Sequence, residues 1–163
     1  MAIEDHYGRD EEHASAFDSP IAWRGGLGAG LAATVATTLV LLPTNTSMFS
    51  ETIAGMYGLE GALAVGLVAH LIHGTLFGLV FALVLSDPGL VSITNWLWKT
   101  VLAGLCFGLA LALVGTGFLL PVWTEFVGLT DPPSIPYVTS TLLGWHVLYG
   151  LVLGAVFPFL EEF

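Results

Sequence analysis

Four long apolar windows alternate with short polar segments along the 163-residue chain. They cover residues 25–43, 61–85, 100–121 and 140–160 and contain no Asp, Glu, Lys or Arg. About 20 apolar residues, at 1.5 Å of rise each, cross the roughly 30 Å hydrocarbon core of a bilayer as a helix. Helices in water would need polar faces, and open strands leave backbone groups unpaired in lipid. The pattern predicts an all-α integral membrane bundle of four transmembrane helices.

The composition supports this class and excludes several others. Only 10% of the residues are charged, against about 25% in an ordinary soluble domain. The formal net charge of -10 leaves no basic surface for a nucleic acid, and the single cysteine, Cys106, cannot close an intrachain disulfide. The acidic bias, with one lysine in the chain, favours a protein from an extreme halophile, because concentrated salt screens repulsion between carboxylates.

The few basic residues predict the topology. Arg9 and Arg24 precede the first window and Lys99 precedes the third, so the positive-inside rule places both termini in the cytoplasm. Residues 1–23 form an acidic tail without the basic start and apolar core of a cleaved signal peptide. We expect residues 24–163 to form one membrane domain in the cell membrane, in contact with the lipid bilayer.

The second half of the chain resembles the first half. GLGAGLA at 26–32 matches GLCFGLA at 104–110, and HLIHGTLFGLVF at 70–81 matches HVLYGLVLGAVF at 146–157. Each unit holds two windows, so both copies enter the membrane from the same side. The chain therefore reads as a tandem repeat of two-helix units, over residues 24–85 and 98–160.

Every window carries two glycines four residues apart, a spacing that lets helix backbones approach closely in lipid. We expect them to serve helix packing, within the bundle or against a partner. We also expect Pro43 and Pro121 to end the first helix of each copy. The glycines are Gly26 and Gly30, Gly74 and Gly78, Gly104 and Gly108, and Gly150 and Gly154.

Three histidines lie inside the windows and are the main candidates for a site. The repeat places His70 and His146 at matching depth, while His73 corresponds to Tyr149. Polar side chains inside a membrane usually face the bundle interior. The histidines could bond neighbouring helices and fix their register, ligate haem b axially through His70 and His146, or form a polar site for protons, a quinone or another small ligand.

No carboxylate or thiolate shares the depth of the histidines, so the sequence predicts no metal site such as zinc. Cys106, between glycines, is expected to be a buried and inert side chain. No nucleotide-binding loop, nucleophile elbow or zinc-protease motif occurs in the chain. Enzymatic activity therefore has little support.

The leading hypothesis is a non-enzymatic accessory or self-assembling subunit of a membrane complex, with further copies or other membrane subunits as partners. One alternative is an electron-transfer protein with a bis-histidine haem b or a quinone site. A small channel or transporter is the other alternative, although few side chains could form its polar lining. They are Thr34, Thr37, Thr38, Thr75 and Thr116.

The run GWHVLYGLVLGAVF at 144–157, with HLIHGTLFGLVF at 70–81 and the two Leu-Leu-Pro segments, resembles a family of small four-helix membrane proteins from haloarchaea. The resemblance covers about residues 24–160. Members of this family are sometimes labelled histidine kinases, but this chain leaves no room for a nucleotide-binding domain outside the windows. The resemblance implies the fold and a halophilic source, and it implies no mechanism.

Overall fold

The computed structural model describes residues 20–161, and the side chains of residues 23–160. Every secondary-structure element in this part of the chain is a helix, which confirms the predicted fold class. Residues 1–19, most of the predicted acidic tail, lie outside the described residues. Among the described residues, four helices are long and apolar enough to cross a membrane, and we call them spans 1 to 4: Trp23–Thr44, Leu63–Leu85, Leu97–Phe126 and Ser140–Leu160.

The spans run up and down between two ends of the bundle. At the terminal end, span 1 begins, span 4 ends, and the short 3-10 helix Val91–Asn95 joins spans 2 and 3. At the loop end lie the two longer connections, and the first of them contains the π-helix Met48–Ile53. The placement of the terminal end in the cytoplasm stays a prediction.

Span 1 occupies the centre of the bundle. It packs along its length against spans 2 and 4, and span 4 packs in turn against span 3. Within the described chain, spans 2 and 3 do not pack along their length, although the rings of Phe81 and Phe107 meet with centroids 5.4 Å apart. The lateral order of the spans is therefore 2, 1, 4, 3, and we call the side on which spans 2 and 3 face each other the open flank.

Glycines set the distance between the spans of each hairpin. A Cβ at Gly26 would lie 2.7 Å from the carbonyl oxygen of Gly78, and a Cβ at Gly104 would lie 2.8 Å from the backbone nitrogen of Gly154. These two contacts join positions that the sequence alignment of the halves makes equivalent. All eight glycines expected to serve packing lie at such close approaches between spans. The duplication itself stays a prediction.

The apolar core lies in the half of the bundle nearer the terminal end. Ala29 and Ala33 of span 1 are fully buried, and their small side chains let span 4 approach. Phe81 of span 2 meets Phe157 of span 4 edge to face, with ring centroids 5.4 Å apart. Leu153 is also fully buried in this cluster. Large rings thus fill the space that the glycines and alanines leave between the helices.

Span 3 is longer than the sequence predicted. It continues without a break through the π-helix Leu111–Leu119 and the α-helical segment Leu120–Phe126. The expectation that Pro121 ends this helix is wrong. Pro121 lacks the N–H group that would bond the carbonyl of Gly117, four residues earlier, and the amide of Tyr137 bonds this carbonyl instead, at 2.9 Å. Pro43, by contrast, lies in the last turn of the first helix, which ends at Thr44.

Cys106 is exposed on the outer face of span 3. The expectation of a buried cysteine is therefore wrong. The reason is helical geometry, because Gly104 and Gly108 face span 4 and a residue midway between them points to the opposite side.

Candidate functional site

The threonine hydroxyls inside the spans are bonded to their own helices. Thr34 donates to the carbonyl of Gly30 at 2.6 Å, and Thr38 donates to the carbonyl of Thr34 at 2.7 Å. Thr37, Thr75 and Thr116 bond in the same way. Such bonds satisfy the hydroxyl donor without a partner helix. These threonines therefore offer acceptor oxygens to neighbouring side chains, but their donors are already in use.

His70 is held by span 1 and by the loop-end π-helix. Its Nδ1 lies 3.0 Å from the hydroxyl oxygen of Thr38. Because the Thr38 hydroxyl donates to a carbonyl, we assign the proton to Nδ1, which donates to Thr38. The His70 ring also stands edge-on to the buried ring of Phe49, with centroids 5.2 Å apart. This histidine does bond a neighbouring helix.

His146 bonds its own helix instead. Its Nδ1 lies 2.9 Å from the carbonyl oxygen of Leu142, one turn earlier in span 4. Through Nδ1, His146 therefore bonds its own helix whereas His70 bonds a neighbouring one, and the roles considered for these histidines stay predictions. A carbonyl only accepts, so Nδ1 carries the proton in this ring as well.

His70 and His146 therefore share one tautomer, with the lone pair on Nε2. Neither Nε2 has a hydrogen-bond partner among residues 23–160. No fully buried side-chain nitrogen or oxygen in that range lacks a partner, so each Nε2 keeps some accessible surface.

Tyr149 ties the two hairpins together near these histidines. Its side chain is buried, and its hydroxyl donates to the carbonyl oxygen of Gly74 at 2.6 Å. His70 lies one turn from Gly74 toward the loop end, and His146 lies about one turn from Tyr149 in the same direction. Both imidazoles are therefore on the loop-end side of this bond.

His73 takes part in a different contact. Its Nε2 lies 2.5 Å from the hydroxyl oxygen of Tyr57, which belongs to the first loop-end connection. The two rings are stacked, with centroids 5.9 Å apart and planes 26° apart. His73 and Tyr149, at matching positions of the two halves, thus reach different partners.

The two loop-end connections hold each other in place. The indole N–H of Trp123 donates to the carbonyl of Met56 at 2.9 Å. The hydroxyl of Thr130 donates to a carboxylate oxygen of Glu60, also at 2.9 Å. These bonds join segments about 70 residues apart in the chain and form a cap over the loop end.

Sequence reasoning missed the partners of two histidines. Thr38 was considered only for a channel lining, and Tyr57 was not among the candidate site residues. The spacing of Thr34 and Thr38, one helical turn apart, is a signal that both hydroxyls lie on one face of span 1. No comparable signal exists for Tyr57, because its position depends on the path of a loop.

Within residues 23–160, no three His, Cys, Asp or Glu side chains lie together in a way that could hold a metal ion. A depression of about 240 Å³ lies on the outer face of span 2, away from the histidines. Its lining is apolar except for one threonine. The lining residues are Leu71, Ile72, Thr75 and Leu76.

Four apolar helices of crossing length define this chain as an integral membrane protein. No protein-family model, curated protein or solved structure matches it. The resemblance to a haloarchaeal family and the halophilic source therefore stay predictions.

Proposed function

We propose that the protein is a non-enzymatic subunit of a membrane complex and assembles with further copies of itself. The observation that carries this proposal is the open flank between spans 2 and 3. On span 2, Val84 lies one turn from Phe81 and is 45% exposed, and on span 3 Val114 is 57% exposed. The flank is apolar and runs between two helices.

Helix association in lipid depends on close van der Waals packing, because lipid tails are as apolar as the helices. A groove between two helices offers a third helix more contact than one convex helix surface does. Spans 1 and 4 already bury their small residues against each other and against spans 2 and 3. The flank is therefore the surface where another copy gains most.

Cross-linking tests the proposal in native membranes. In a Cys106→Ser background, Val84→Cys and Val114→Cys should be joined between copies by a bifunctional thiol reagent. Leu39→Cys is the matched control, since Leu39 is 70% exposed on the outer face of span 1. A native mass of at least two copies of the 17.2 kDa chain should accompany the cross-link. A single 17.2 kDa species without cross-links contradicts the proposal.

A second function, electron transfer through a bis-histidine haem, is favoured by one specific observation. Histidines that ligate a metal through Nε2 usually donate the Nδ1 proton to a protein oxygen, and both His70 and His146 do so. These two rings would hold the haem, and the haem would supply one-electron chemistry.

An absorbance spectrum tests this second function. Protein purified from a haem-replete host should show a Soret band that His146→Ala removes and His73→Ala retains. A spectrum without a Soret band contradicts the haem function and leaves the assembly proposal unaffected.

A further inference from the structure

The contact between Tyr57 and His73 lies deep in the loop-end half of the bundle. His73 is ten residues beyond Leu63, the first residue of span 2, which corresponds to about 15 Å along the helix axis. The Tyr57 side chain remains 53% exposed although its hydroxyl bonds His73. A polar pair is therefore open to the surroundings about 15 Å from the loop end of span 2, and this distance is about half of the hydrocarbon thickness that the span has to cross.

The path of the first connection explains how a loop residue reaches this depth. Phe49 is buried against the His70 ring, and its carbonyl oxygen touches the backbone at Gly66. The connection therefore lies along span 2 instead of standing above it. The bond from Trp123 to the carbonyl of Met56 fixes the residue next to Tyr57. Tyr57 is thus held in a defined position by both hairpins.

The pair has hydrogen-bonding capacity left over. If the Tyr57 hydroxyl donates to Nε2, the Nδ1–H group of His73 is a free donor and the phenolic oxygen is a free acceptor. If Nε2–H donates instead, the phenolic O–H is the free donor and Nδ1 is the free acceptor. Nδ1 of His73 has no partner among residues 23–160. Either way, the pair has one unused donor and one unused acceptor, one on the Tyr57 hydroxyl and the other on Nδ1 of His73.

Apolar side chains extend from the pair toward the terminal end. Phe77, one turn beyond His73, and Val80, two turns beyond it, are both exposed on span 2. We propose that the Tyr57–His73 pair binds the head ring of an isoprenoid quinone or quinol, whose tail lies along Phe77 and Val80. A quinone carbonyl would accept from the free donor, and a quinol hydroxyl would donate to the free acceptor.

The depth and charge of the pair favour a quinone over a phospholipid headgroup. A charged headgroup at this depth would lose its hydration, which is costly in hydrocarbon. A quinone ring is uncharged and carries oxygens that match the pair. The proposed tail path lies on the same face of span 2 as Val84, which is seven residues beyond Phe77, so a bound tail and a neighbouring copy would compete for this face. The two tests remain separate, because one measures cross-links between copies and the other measures quinone affinity.

Fluorescence quenching in nanodiscs of neutral lipid tests this inference. Decylubiquinone should quench tryptophan emission in a saturable way, because Trp123 bonds the residue next to Tyr57. Decylbenzene, which has the tail but no oxygens, should not compete. Tyr57→Phe and His73→Phe should each weaken quinone binding about tenfold, the usual effect of losing one hydrogen bond in an apolar site.

Tyr137→Phe is the matched control, since Tyr137 belongs to the other loop-end connection, and it should bind like the unmodified protein. Helical circular dichroism and elution volume establish that each variant is folded. If His73→Phe does not fold, the quinone affinity of Tyr57→Phe alone tests the inference. This variant should fold, because it only removes one oxygen from a half-exposed ring. Quenching that rises linearly without saturation, or equal affinity in Tyr57→Phe, overturns the inference.

Discussion

The two hairpins pack their spans through corresponding glycines but differ at the loop end. In the first hairpin, the chain after span 1 folds back onto span 2 and buries Phe49 beside His70. In the second, span 3 continues to Phe126, and the connection returns by a bond from the Tyr137 amide to the Gly117 carbonyl at 2.9 Å. Where a position contacts the backbone of the neighbouring span, only glycine fits, and the two hairpins are alike. Where a position makes its contact through a side chain, different residues fit, and His73 and Tyr149 accordingly have different partners.

The largest expected effect tests what the hairpins share. Gly78→Ala and Gly154→Ala each place a Cβ against the backbone of the partner span, so each should lower the free energy of unfolding by about 1–3 kcal/mol. Gly144→Ala is the control, because a Cβ there meets no atom within 4 Å. Denaturant titration in detergent measures the three values. Similar losses in both hairpins support a shared packing mode, and a loss in one hairpin only breaks the comparison.

The next effect tests the divergence between His73 and Tyr149. Tyr149→Phe removes the buried bond to Gly74 and should cost about 0.6–1.7 kcal/mol, the range for hydrogen bonds between membrane helices. Tyr57→Phe removes a bond from a half-exposed side chain and should cost less. The same titration compares the two variants. A larger loss for Tyr57→Phe would mean that the exposed bond to His73 stabilises the fold more than the buried bond to Gly74, contrary to this account.

A smaller effect is expected where the connections meet. Trp123→Phe keeps an aromatic ring but loses the indole bond to Met56, a net contribution of about 1 kcal/mol. Amide hydrogen exchange over residues 54–62 should become faster, since the cap loses one of its links. Exchange over span 2 should not change. Unaltered exchange over residues 54–62 would mean that the bond from Trp123 does not hold the two loop-end connections together.

The smallest expected effect concerns the terminal end of the second hairpin. The Lys99 ammonium lies 5.0 Å from the ring centroid of Trp96 and 5.6 Å from that of Trp98. Exposed cation–π contacts contribute about 0.5–1 kcal/mol, so Lys99→Gln should lower the melting temperature only slightly. A scan of Lys99→Gln beside Lys99→Arg, which keeps the charge, measures this. Equal melting temperatures for Lys99→Gln and Lys99→Arg would show that the positive charge does not contribute to stability.

The spans were predictable from the sequence because lipid imposes length and excludes charge. The predicted windows agree with spans 1, 2 and 4 within about two residues at each end. Span 3 was predicted too short, because Pro121 usually signals a helix end and the preceding π-helix has no sequence signature. The buried placement of Cys106 was wrong because the windows say where a span lies and not which way a residue faces.

The candidate site was less predictable than the spans. The sequence identified His70, His73, His146 and Tyr149 because polar residues are rare in the windows. It did not give their partners, because those depend on how helices and loops meet. The Tyr57–His73 bond and the Trp123–Met56 bond both require the path of a loop, which no local pattern determines.

The central claim is that four helices cross the membrane and pack against each other at glycines. Hydrogen exchange of the whole protein in nanodiscs tests this claim most directly. Amides within Trp23–Thr44, Leu63–Leu85, Leu97–Phe126 and Ser140–Leu160 should be strongly protected, including those on both sides of Pro121. Residues 86–96 and 129–139 should exchange much faster. Exchange at loop rates through any one of the four spans would contradict the account.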